Sequence, residues 1–306
     1  MIKLILLTGA FPYSEQQIQA IESAGCQAVF MQNETDELPD KSAEAEMVVC
    51  NGLFLKHDIG QFVNLKYIQL TSAGLDRVPL EAIKERGIRL YNARGVYSIP
   101  MAEWTMMQVL NCYKQTEFFA DRQLSSIWEK NRSLREVNGI TVGIVGAGNV
   151  GCEVAQRFTA FGAHCVGYDV FVSERPVFER VEHISALGSQ IGTLDVLILT
   201  APYTPETHHM IDKELILAMK RDAVLVNIAR GGLINESEMI EALKERRDIH
   251  ASLDVFEVEP IVSECPLWKM DNVTVTPHNS FVSDRNNQRL FNLILKNIKE
   301  YIAEEA

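Results

Sequence analysis

One segment in the second half of the chain constrains the fold most. An apolar run, ITVGIV, leads into a loop that contains Gly146, Gly148 and Gly151, and an amphipathic segment then continues to Gly162. The next apolar run ends on Asp169. Glycines at this spacing allow a tight turn, a close approach of the backbone to a pyrophosphate and close packing of a helix on a strand. The segment therefore predicts the βαβ unit of a dinucleotide-binding domain.

Asp169 bears on which dinucleotide binds. A carboxylate at the end of the second strand accepts hydrogen bonds from the adenosine ribose hydroxyls and repels a 2′-phosphate. Val170 and Phe171 follow it, so no arginine stands immediately beside the acid. Taken alone, the glycines could serve packing only, and Asp169 could be a turn residue or a cap. Because strand, loop, helix, strand and acid occur in this order, we expect NAD rather than NADP.

Strand-like and helix-like segments alternate along nearly the whole chain, which indicates parallel α/β architecture. A helix is expected after the capping-box pair Ser14 and Gln17. The apolar-rich segment 100–128 predicts a helix that links two halves, and 284–306 predicts a helix that returns to the first half. The predicted strands are residues 2–8, 27–31, 47–51, 67–70, 89–92, 140–145, 164–168, 196–200, 223–228, 250–254 and 273–276.

Composition excludes several classes of protein. A chain of 306 residues is long enough for two domains, and its formal net charge of -12 is the wrong sign for a general binder of nucleic acid or of anionic membranes. The six cysteines form no CxxC pair and no zinc-ligand spacing, which predicts a reduced cytosolic protein without a metal site. The apolar run at the amino terminus is too short for a signal peptide, and no segment is long enough to span a bilayer.

Three polar residues each follow an apolar run near the end of the chain: Arg230, Glu259 and His278. Residues that follow the strands of a parallel sheet collect at its carboxyl edge, where ligands bind. An arginine in a surface ion pair is the commoner case, but the flanking VNIA and GG argue against that interpretation. An arginine, a carboxylate and an imidazole at one edge suit chemistry on a small anionic carbonyl compound.

With these residues described, the chain resembles the D-isomer-specific 2-hydroxyacid dehydrogenases, the family of D-lactate, glyoxylate/hydroxypyruvate and D-3-phosphoglycerate dehydrogenases. The resemblance implies two Rossmann-like, doubly wound parallel-sheet α/β domains, with the active site in the cleft between them. Residues 100–280 would form the NAD-binding domain, inserted into a substrate-binding domain of residues 1–99 and 281–306. The matching segments are TSAGLD (71–76), NARGVYSIPMAEW (92–104), GIVGAGNVG (143–151), LTAPYTPETHHMI (199–211), VNIARGGLINE (226–236), LDVFEVEP (253–260), PLW (266–268) and NVTVTPH (272–278).

The resemblance also implies a role for each member of the trio. Arg230 would bind the substrate carboxylate and the 2-oxo oxygen, where hydride attack builds negative charge. His278 would be the general acid/base, because a group that titrates near neutrality suits proton exchange with the hydroxyl. Glu259 would tune His278, since a carboxylate beside an imidazole favours the protonated ring.

Further residues are carried over one by one. Gly146, Gly148, Asn149, Val150 and Gly151 would surround the pyrophosphate, while Ala201 and Pro202 would border the adenosine half. Ile228, Ala229 and Ser280 would lie near the nicotinamide, and Asp254 would bind its carboxamide, although a capping aspartate is an alternative on local grounds. On the substrate side, Ala73 and Gly74 would hold the carboxylate. Arg94 and Tyr97 stand where many relatives have proline and asparagine, and Arg94 would either engage a second anionic group or pair with an acid.

Two alternatives stay open at this point. One is a non-catalytic NAD(H)-sensing protein similar to the C-terminal binding protein co-repressors, which retain this fold and trio but carry extensions that this chain does not show. The other is a formate dehydrogenase, which would have glutamine in place of Glu259. The enzyme is favoured, as a short form without a regulatory domain and as a homodimer formed through segment 100–130.

Overall fold

The computed structural model describes residues 2–305, and the chain divides into two compact units. The first unit comprises Met1–Tyr97 and Ser283–Ala306, and the second unit comprises Ser98–Val282. The second unit is thus inserted into the sequence of the first. Within the described residues, no helix is both long and apolar enough to cross a membrane.

Strands and helices alternate in both units. The strands are β1 (Lys3–Thr8), β2 (Cys26–Met31), β3 (Met47–Cys50), β4 (Tyr67–Leu70), β5 (Arg89–Tyr91), β6 (Thr141–Val145), β7 (His164–Asp169), β8 (Arg180–His183), β9 (Val196–Leu199), β10 (Val224–Asn227), β11 (His250–Leu253) and β12 (Val273–Val275). The α-helices are α1 (Glu15–Ser23), α2 (Leu80–Glu85), α3 (Ser98–Lys114), α4 (Thr116–Leu124), α5 (Asn149–Ala160), α6 (Leu187–Gln190), α7 (Lys213–Leu217), α8 (Glu236–Glu245) and α9 (Asn286–Glu304).

The first unit is a sheet of five parallel strands in the order β2-β1-β3-β4-β5. Its central strands β3 and β4 are buried along their whole length, as expected for a sheet covered on both faces. Helix α9 packs Leu290, Ile294 and Ile298 into the same core as Ile5, because these residues recur at helical spacing. The predicted returning helix is confirmed within the described residues.

A buried polar contact fixes how α9 meets this sheet. Gln69 in β4 is fully buried, and its side-chain oxygen accepts a hydrogen bond from the Asn297 amide at 2.7 Å. The Gln69 amide in turn donates to the Leu70 carbonyl at 2.8 Å. Because unpaired buried amides are costly, this pair favours one register of the helix on the sheet.

The second unit is a sheet of seven parallel strands in the order β12-β11-β10-β9-β6-β7-β8. Apolar clusters cover both faces, one containing Val145 and Leu225 and the other containing Ile144 and Val226. Consecutive residues of β6 and β10 therefore point to opposite cores, which explains their continuous apolar runs. The expectation of two doubly wound parallel-sheet α/β units is confirmed.

Two local predictions were incomplete. Strand β8 was not predicted, because RVEH is a polar edge strand with no fully buried residue. The segment 100–128 is not one helix: α3 ends at Lys114, and Gln115 adopts a left-handed φ of 49° before α4 begins. A single residue in that conformation interrupts the helical hydrogen bonding, and nothing in the composition of the segment indicated it.

Candidate functional site

The predicted cofactor and catalytic residues of the second unit gather at the carboxyl edge of its sheet. In the sheet, β6 lies between β7 and β9. After β6, the chain adds β7 and β8 on one side and then β9 to β12 on the other side, so the loop after β6 lies where the strand order reverses. Ligands bind at such a switch point in doubly wound sheets. The loops after β7, β9, β10, β11 and β12 leave the same edge because all strands run in parallel.

The loop after β6 contains three glycines, of which one has open space beside it and two are packed tightly against the backbone. A Cβ on Gly146, which has a φ of 97°, would lie 2.7 Å from the Ala201 amide nitrogen, and one on Gly151 would lie 2.0 Å from the Gly146 oxygen. These two glycines are required by backbone packing. A Cβ on Gly148 would meet nothing within 4 Å, and no side chain caps helix α5 at this N-cap residue. The first turn of α5 is thus a cradle suited to a pyrophosphate.

Asp169 lies beside this loop. One carboxylate oxygen accepts a hydrogen bond from the Ala147 amide at 2.7 Å, and the other accepts from the Phe171 amide at 3.0 Å. Asp169 therefore holds the loop between Gly146 and Gly148 as well as ending β7. The contact with Ala147 was not anticipated, although the order of loop, helix, strand and acid was. The open cradle and the adjacent carboxylate fit the pyrophosphate and ribose of NAD.

Asn227 is a residue that the sequence reasoning missed. It ends β10 and is 1% exposed. Its side chain accepts a hydrogen bond from the Ala229 amide at 3.0 Å and donates one to the Arg230 carbonyl at 3.0 Å. It thereby fixes the backbone on both sides of the predicted nicotinamide residues Ile228 and Ala229, which are buried. A buried amide inside the apolar run VLVNIA was the available signal.

Arg230 follows in an extended conformation, with φ of -146° and ψ of 146°. Its guanidinium donates to the Ala229 carbonyl at 2.8 Å. Gly231 comes next, and a Cβ there would lie 1.8 Å from the Phe256 carbonyl carbon. The loop after β10 can therefore pack on the loop after β11 only with glycine at this position.

His278 and Glu259 form a direct pair. The His278 Nδ1 lies 2.8 Å from the Glu259 Oε2, and both side chains are about one-third exposed, at 35% and 36%. The other oxygen of Glu259 accepts from the Phe256 amide at 3.0 Å, so the carboxylate is oriented from two sides. Among the described residues, His278 Nε2 has no hydrogen-bond partner. The pair thus fixes the ring through one nitrogen and leaves the other nitrogen for a ligand.

Asp254 organises the backbone around His278. It is fully buried, and its carboxylate accepts three hydrogen bonds: from the Thr276 hydroxyl at 2.6 Å, the Asn279 amide at 2.8 Å and the Ser280 amide at 2.8 Å. Its carbonyl accepts from the His278 amide at 2.8 Å. Because His278 has a positive φ of 50°, these contacts stabilise a backbone conformation that costs energy for a residue other than glycine. The sequence favoured the cofactor role of Asp254 and left a capping role open, but it did not indicate these contacts with residues 276–280.

The remaining cofactor candidates lie at the same edge. Asn149 and Val150 form the first turn of α5, and Ala201 and Pro202 follow β9. Ala201 and Ser280 are buried, at 6% and 2% exposed, so each offers backbone rather than side-chain surface to a ligand.

The predicted substrate residues of the first unit lie close together in that unit. The Asn92 amide donates to the Ala73 carbonyl at 2.6 Å, and the Tyr97 hydroxyl donates to the Thr71 carbonyl. Gly74 accepts from the Ser72 hydroxyl at 3.2 Å. Arg94 is exposed at the tip of the turn between Asn92 and Tyr97. The hydroxyl of Tyr97 therefore bonds the turn 92–97 to loop 71–76, in addition to any contact that it makes with a ligand.

The sequence is similar to proteins of a described family. Residues 106–280 match the family described as D-isomer specific 2-hydroxyacid dehydrogenase, NAD binding domain. The D-3-phosphoglycerate dehydrogenase of Methanocaldococcus jannaschii is 34% identical over 309 residues, an alignment that covers 100% of this chain and 58% of the relative. The chain thus spans less than two-thirds of that relative's length.

Solved structures share the fold over nearly the full length. A D-isomer specific 2-hydroxyacid dehydrogenase family protein from Aeromonas salmonicida superposes with a TM-score of 0.86 at 28% identity, covering 99% of this chain and 96% of that one. D-lactate dehydrogenase from Aquifex aeolicus, solved with NAD and lactic acid, gives a TM-score of 0.80 at 25% identity and covers 98% and 96% of the two chains. Residues 106–280 are accordingly an NAD-binding domain, and the chain belongs to the D-isomer specific 2-hydroxyacid dehydrogenase family.

Proposed function

We propose that this protein is a cytosolic, NAD-dependent oxidoreductase that interconverts a D-2-hydroxy acid and its 2-oxo acid. The observation that carries the proposal is the 2.8 Å contact between His278 Nδ1 and Glu259 Oε2, with His278 Nε2 left without a partner among the described residues. Turnover of a 2-oxo acid, rather than the pair alone, distinguishes this enzyme from an NAD(H)-sensing protein that keeps the same trio. The six cysteines are all free thiols, which supports a reducing compartment.

His278 is the general acid/base of the proposed reaction. In the direction of reduction, Nε2–H donates a proton to the carbonyl oxygen as it becomes a hydroxyl. In the direction of oxidation, neutral Nε2 removes the same proton. The Glu259 carboxylate accepts from Nδ1–H, so it orients the ring and stabilises the positive charge that the ring carries as an acid, and the Phe256 amide holds that carboxylate in place.

Arg230 binds the substrate anion. The planar fork of its guanidinium matches the carboxylate and the adjacent 2-oxo oxygen. Negative charge grows on that oxygen during reduction, so a fixed donor stabilises the transition state more than the ground state. Asn227 contributes by fixing the Arg230 backbone.

The NAD-binding residues act by holding the dinucleotide in place. When bound, the dinucleotide would supply the hydride for reduction or accept it in oxidation. The cradle at Gly148 would hold the pyrophosphate, and Asp169 would accept from ribose hydroxyls and disfavour a 2′-phosphate. Ile228, Ala229 and Ser280 would border the nicotinamide, and Ala201 and Pro202 would border the adenosine half. Asp254 would bond the carboxamide in addition to the loop around His278.

In the first unit, Ala73 and Gly74 hold the substrate carboxylate through backbone amides of loop 71–76. This assignment makes residues 1–99 and 281–306 the substrate-binding domain and residues 100–280 the NAD-binding domain. It is supported by the hydrogen bonds from Asn92 and Tyr97 that fix the loop.

The test of these roles is turnover of two variants with matched binding measurements. His278→Ala and Arg230→Ala should each lower kcat/KM for reduction of the best 2-oxo acid by about three orders of magnitude, since each removes a group worth several kcal/mol in the transition state. NADH affinity, measured by calorimetry, should remain close to that of the wild type in His278→Ala. Near-wild-type turnover in either variant would refute the assigned role.

Glu259→Gln separates tuning from binding. The amide keeps the shape of the side chain and an oxygen acceptor for Nδ1–H, but it loses the negative charge beside the ring. kcat for reduction should therefore fall by about tenfold, while the KM of the 2-oxo acid and the affinity for NADH stay close to those of the wild type. A wild-type kcat in Glu259→Gln would exclude Glu259 as the residue that tunes His278.

We also propose that the protein is a homodimer formed through segment 100–130. In support, α4 and the residues after it expose apolar side chains, with Leu124 at 85% and Trp128 at 97% exposed. Large exposed apolar side chains that cluster on one surface mark association sites. Light scattering of the wild type and of Leu124→Ser/Trp128→Ser measures the mass directly; a wild-type monomer would refute the dimer.

A further inference from the structure

We infer that Arg94 binds a second anionic group of the substrate, so that the preferred 2-oxo acid carries a carboxylate, phosphate or sulfonate in addition to the carboxylate beside its carbonyl. The inference rests on the proposed function, because it concerns the substrate of the same reaction. Two observations support it: the position of Arg94 in a turn bonded to loop 71–76, and the absence of an ion pair at Arg94 among the described residues.

Arg94 belongs to a turn that is bonded directly to loop 71–76. The Ala93 amide donates to the Ser72 carbonyl at 2.9 Å, and the Asn92 side-chain amide donates to the Ala73 carbonyl at 2.6 Å. These contacts, on the two residues that precede Arg94, join the carboxyl end of β5 to the loop proposed to hold the substrate carboxylate. A ligand anchored on that loop therefore lies within reach of a long side chain at position 94.

The conformation of the turn brings residue 94 to its tip. The Asn92 side-chain oxygen accepts from the Arg94 amide at 3.2 Å, and the Val96 amide donates to the Ala93 carbonyl at 3.1 Å. Gly95 has a φ of 89°, which lets the chain reverse directly after the arginine. Ala93 and Val96 are buried on either side, whereas Arg94 is exposed. The backbone is thus fixed by buried neighbours and the guanidinium is free to meet a ligand.

Two arginines of the first unit that precede Arg94 in the sequence are committed to the protein. Arg86 donates to the Ile59 and Phe62 carbonyls, and Arg89 pairs with two carboxylates near the end of α9. Among the described residues, Arg94 makes no ion pair or side-chain hydrogen bond, although the chain carries 41 acidic residues. Arg94 is therefore available to an anion from outside the chain, at the tip of a turn bonded to the loop proposed to hold the substrate carboxylate.

The chemistry of the guanidinium defines the class of substrate. Its planar fork forms paired hydrogen bonds with carboxylate, phosphate or sulfonate oxygens, and it stays charged at every physiological pH. A substrate with only the carboxylate beside the carbonyl would engage the loop and leave Arg94 unused. A dianionic 2-oxo acid engages both, and the loss of Arg94 should then penalise the dianion more than the monoanion.

The test compares substrate pairs that differ by the second anion: 2-oxoglutarate with 2-oxovalerate, 3-phosphohydroxypyruvate with hydroxypyruvate, and 3-sulfopyruvate with pyruvate. The ratio of kcat/KM for dianion over monoanion is measured for the wild type, Arg94→Gln, Arg94→Lys and the control Lys84→Gln, which removes an exposed charge on α2 of the same unit. In the preferred pair, Arg94→Gln should lower this ratio on the order of 10- to 100-fold, Arg94→Lys should lower it less, and Lys84→Gln should leave it unchanged. The pair that responds most identifies the anion.

Two results would overturn the inference. The first is that the wild type turns over the monoanions and that Arg94→Gln leaves the ratio of kcat/KM for dianion over monoanion unchanged in all three pairs. This result would refute the role of Arg94 and would leave the proposed function intact. The other concerns binding: calorimetry with NADH present should show D-malate binding more tightly than D-lactate to the wild type, with the difference reduced in Arg94→Gln. Equal affinities in the wild type would refute the second anion site. Absence of turnover on every pair would instead refute the proposed function, and the calorimetry would still decide on Arg94.

Discussion

The two units use one architecture and treat its ligand-binding edge in opposite ways. In the first unit, Ser14 caps helix α1 in a reciprocal capping box, and the Glu34 carboxylate accepts from the Asn51 and Gly52 amides at 2.6 Å each and from the Thr8 hydroxyl at 2.7 Å. In the second unit, Gly148 precedes helix α5 without any side-chain cap. Between β1 and β3, the first unit satisfies its own hydrogen-bond donors with side chains. At the start of α5, the second unit leaves backbone donors for a ligand.

Topology alone therefore does not create a nucleotide site. The order β2-β1-β3 in the first sheet places the ends of β1 and β3 side by side, at the kind of switch point that binds ligands in other doubly wound folds. Glu34 bonds to Thr8, the last residue of β1, and to Asn51, which follows β3, so an internal carboxylate stands where an external anion would otherwise bind. The difference between the units lies in a few side chains at the edge.

The largest effect is expected from Gly148→Ala. The added methyl group meets no protein atom within 4 Å, so the free energy of unfolding of the protein without ligand should stay unchanged. It would occupy space needed by the pyrophosphate, at a cost of up to about 3 kcal/mol, on the order of 100-fold in Kd for NADH. Calorimetric titration with NADH and thermal unfolding without it measure the two quantities.

Gly9→Ala, after β1 in the first unit, is the matched control. Its methyl group would lie 1.9 Å from the Gln32 carbonyl oxygen, so this variant should lose stability. If Gly148→Ala bound NADH as tightly as the wild type, the open cradle would not be the pyrophosphate site, and the contrast between the units would fail.

A second, smaller effect should follow from removing the internal carboxylate of the first unit. Glu34→Ala leaves two backbone amides and a hydroxyl without their acceptor, which should lower the free energy of unfolding by about 2 kcal/mol. Glu34→Gln, which keeps an oxygen acceptor, should lose less. Urea denaturation measures both. An unchanged free energy of unfolding in Glu34→Ala would mean that solvent replaces the carboxylate at no cost. Glu34 would then not be the group that keeps an external anion from the ends of β1 and β3.

The smallest effect concerns His250 at the start of β11 in the second unit. Burial lowers the pKa of His250 from 6.5 to about 4, and its ring contacts the Thr274 hydroxyl at 3.0 Å. The neutral ring is therefore favoured in the folded state, so its stabilisation is complete above pH 6.5 and is lost as the pH falls toward 4. For a half-buried ring we expect a change of about 1 kcal/mol between these limits. His250→Gln should flatten the stability curve in that window, and an equally steep curve would contradict the assignment.

The sequence predicted the parts of the structure that local pattern controls. Alternating apolar runs located the strands of both sheets except β8, and the Ser14 and Gln17 capping box located α1. The glycine loop, Asp169 and the trio were all found from residues that follow strands. These residues lie at one edge of the second sheet because its strands are parallel. The alternation of strands and helices along the sequence had already indicated parallel strands.

The parts that were missed depend on contacts between distant segments. Asn227 supports Arg230, and Asp254 supports the backbone at His278, through hydrogen bonds whose partners are fixed only once the strands are paired. Glu34 contacts Asn51 and Gly52 from another loop, and no local pattern marks it. The left-handed residue Gln115 likewise has no sequence signal such as glycine.

The most direct test of the account is NADH oxidation by the purified wild-type protein with a panel of 2-oxo acids: hydroxypyruvate, glyoxylate, phenylpyruvate, 2-oxoglutarate and 3-phosphohydroxypyruvate. The account predicts turnover with at least one of them, formation of the D-isomer wherever the product is chiral, and loss of that turnover in His278→Ala. NADH binding without turnover on any 2-oxo acid would contradict it and would favour a protein that senses NAD(H) without catalysis.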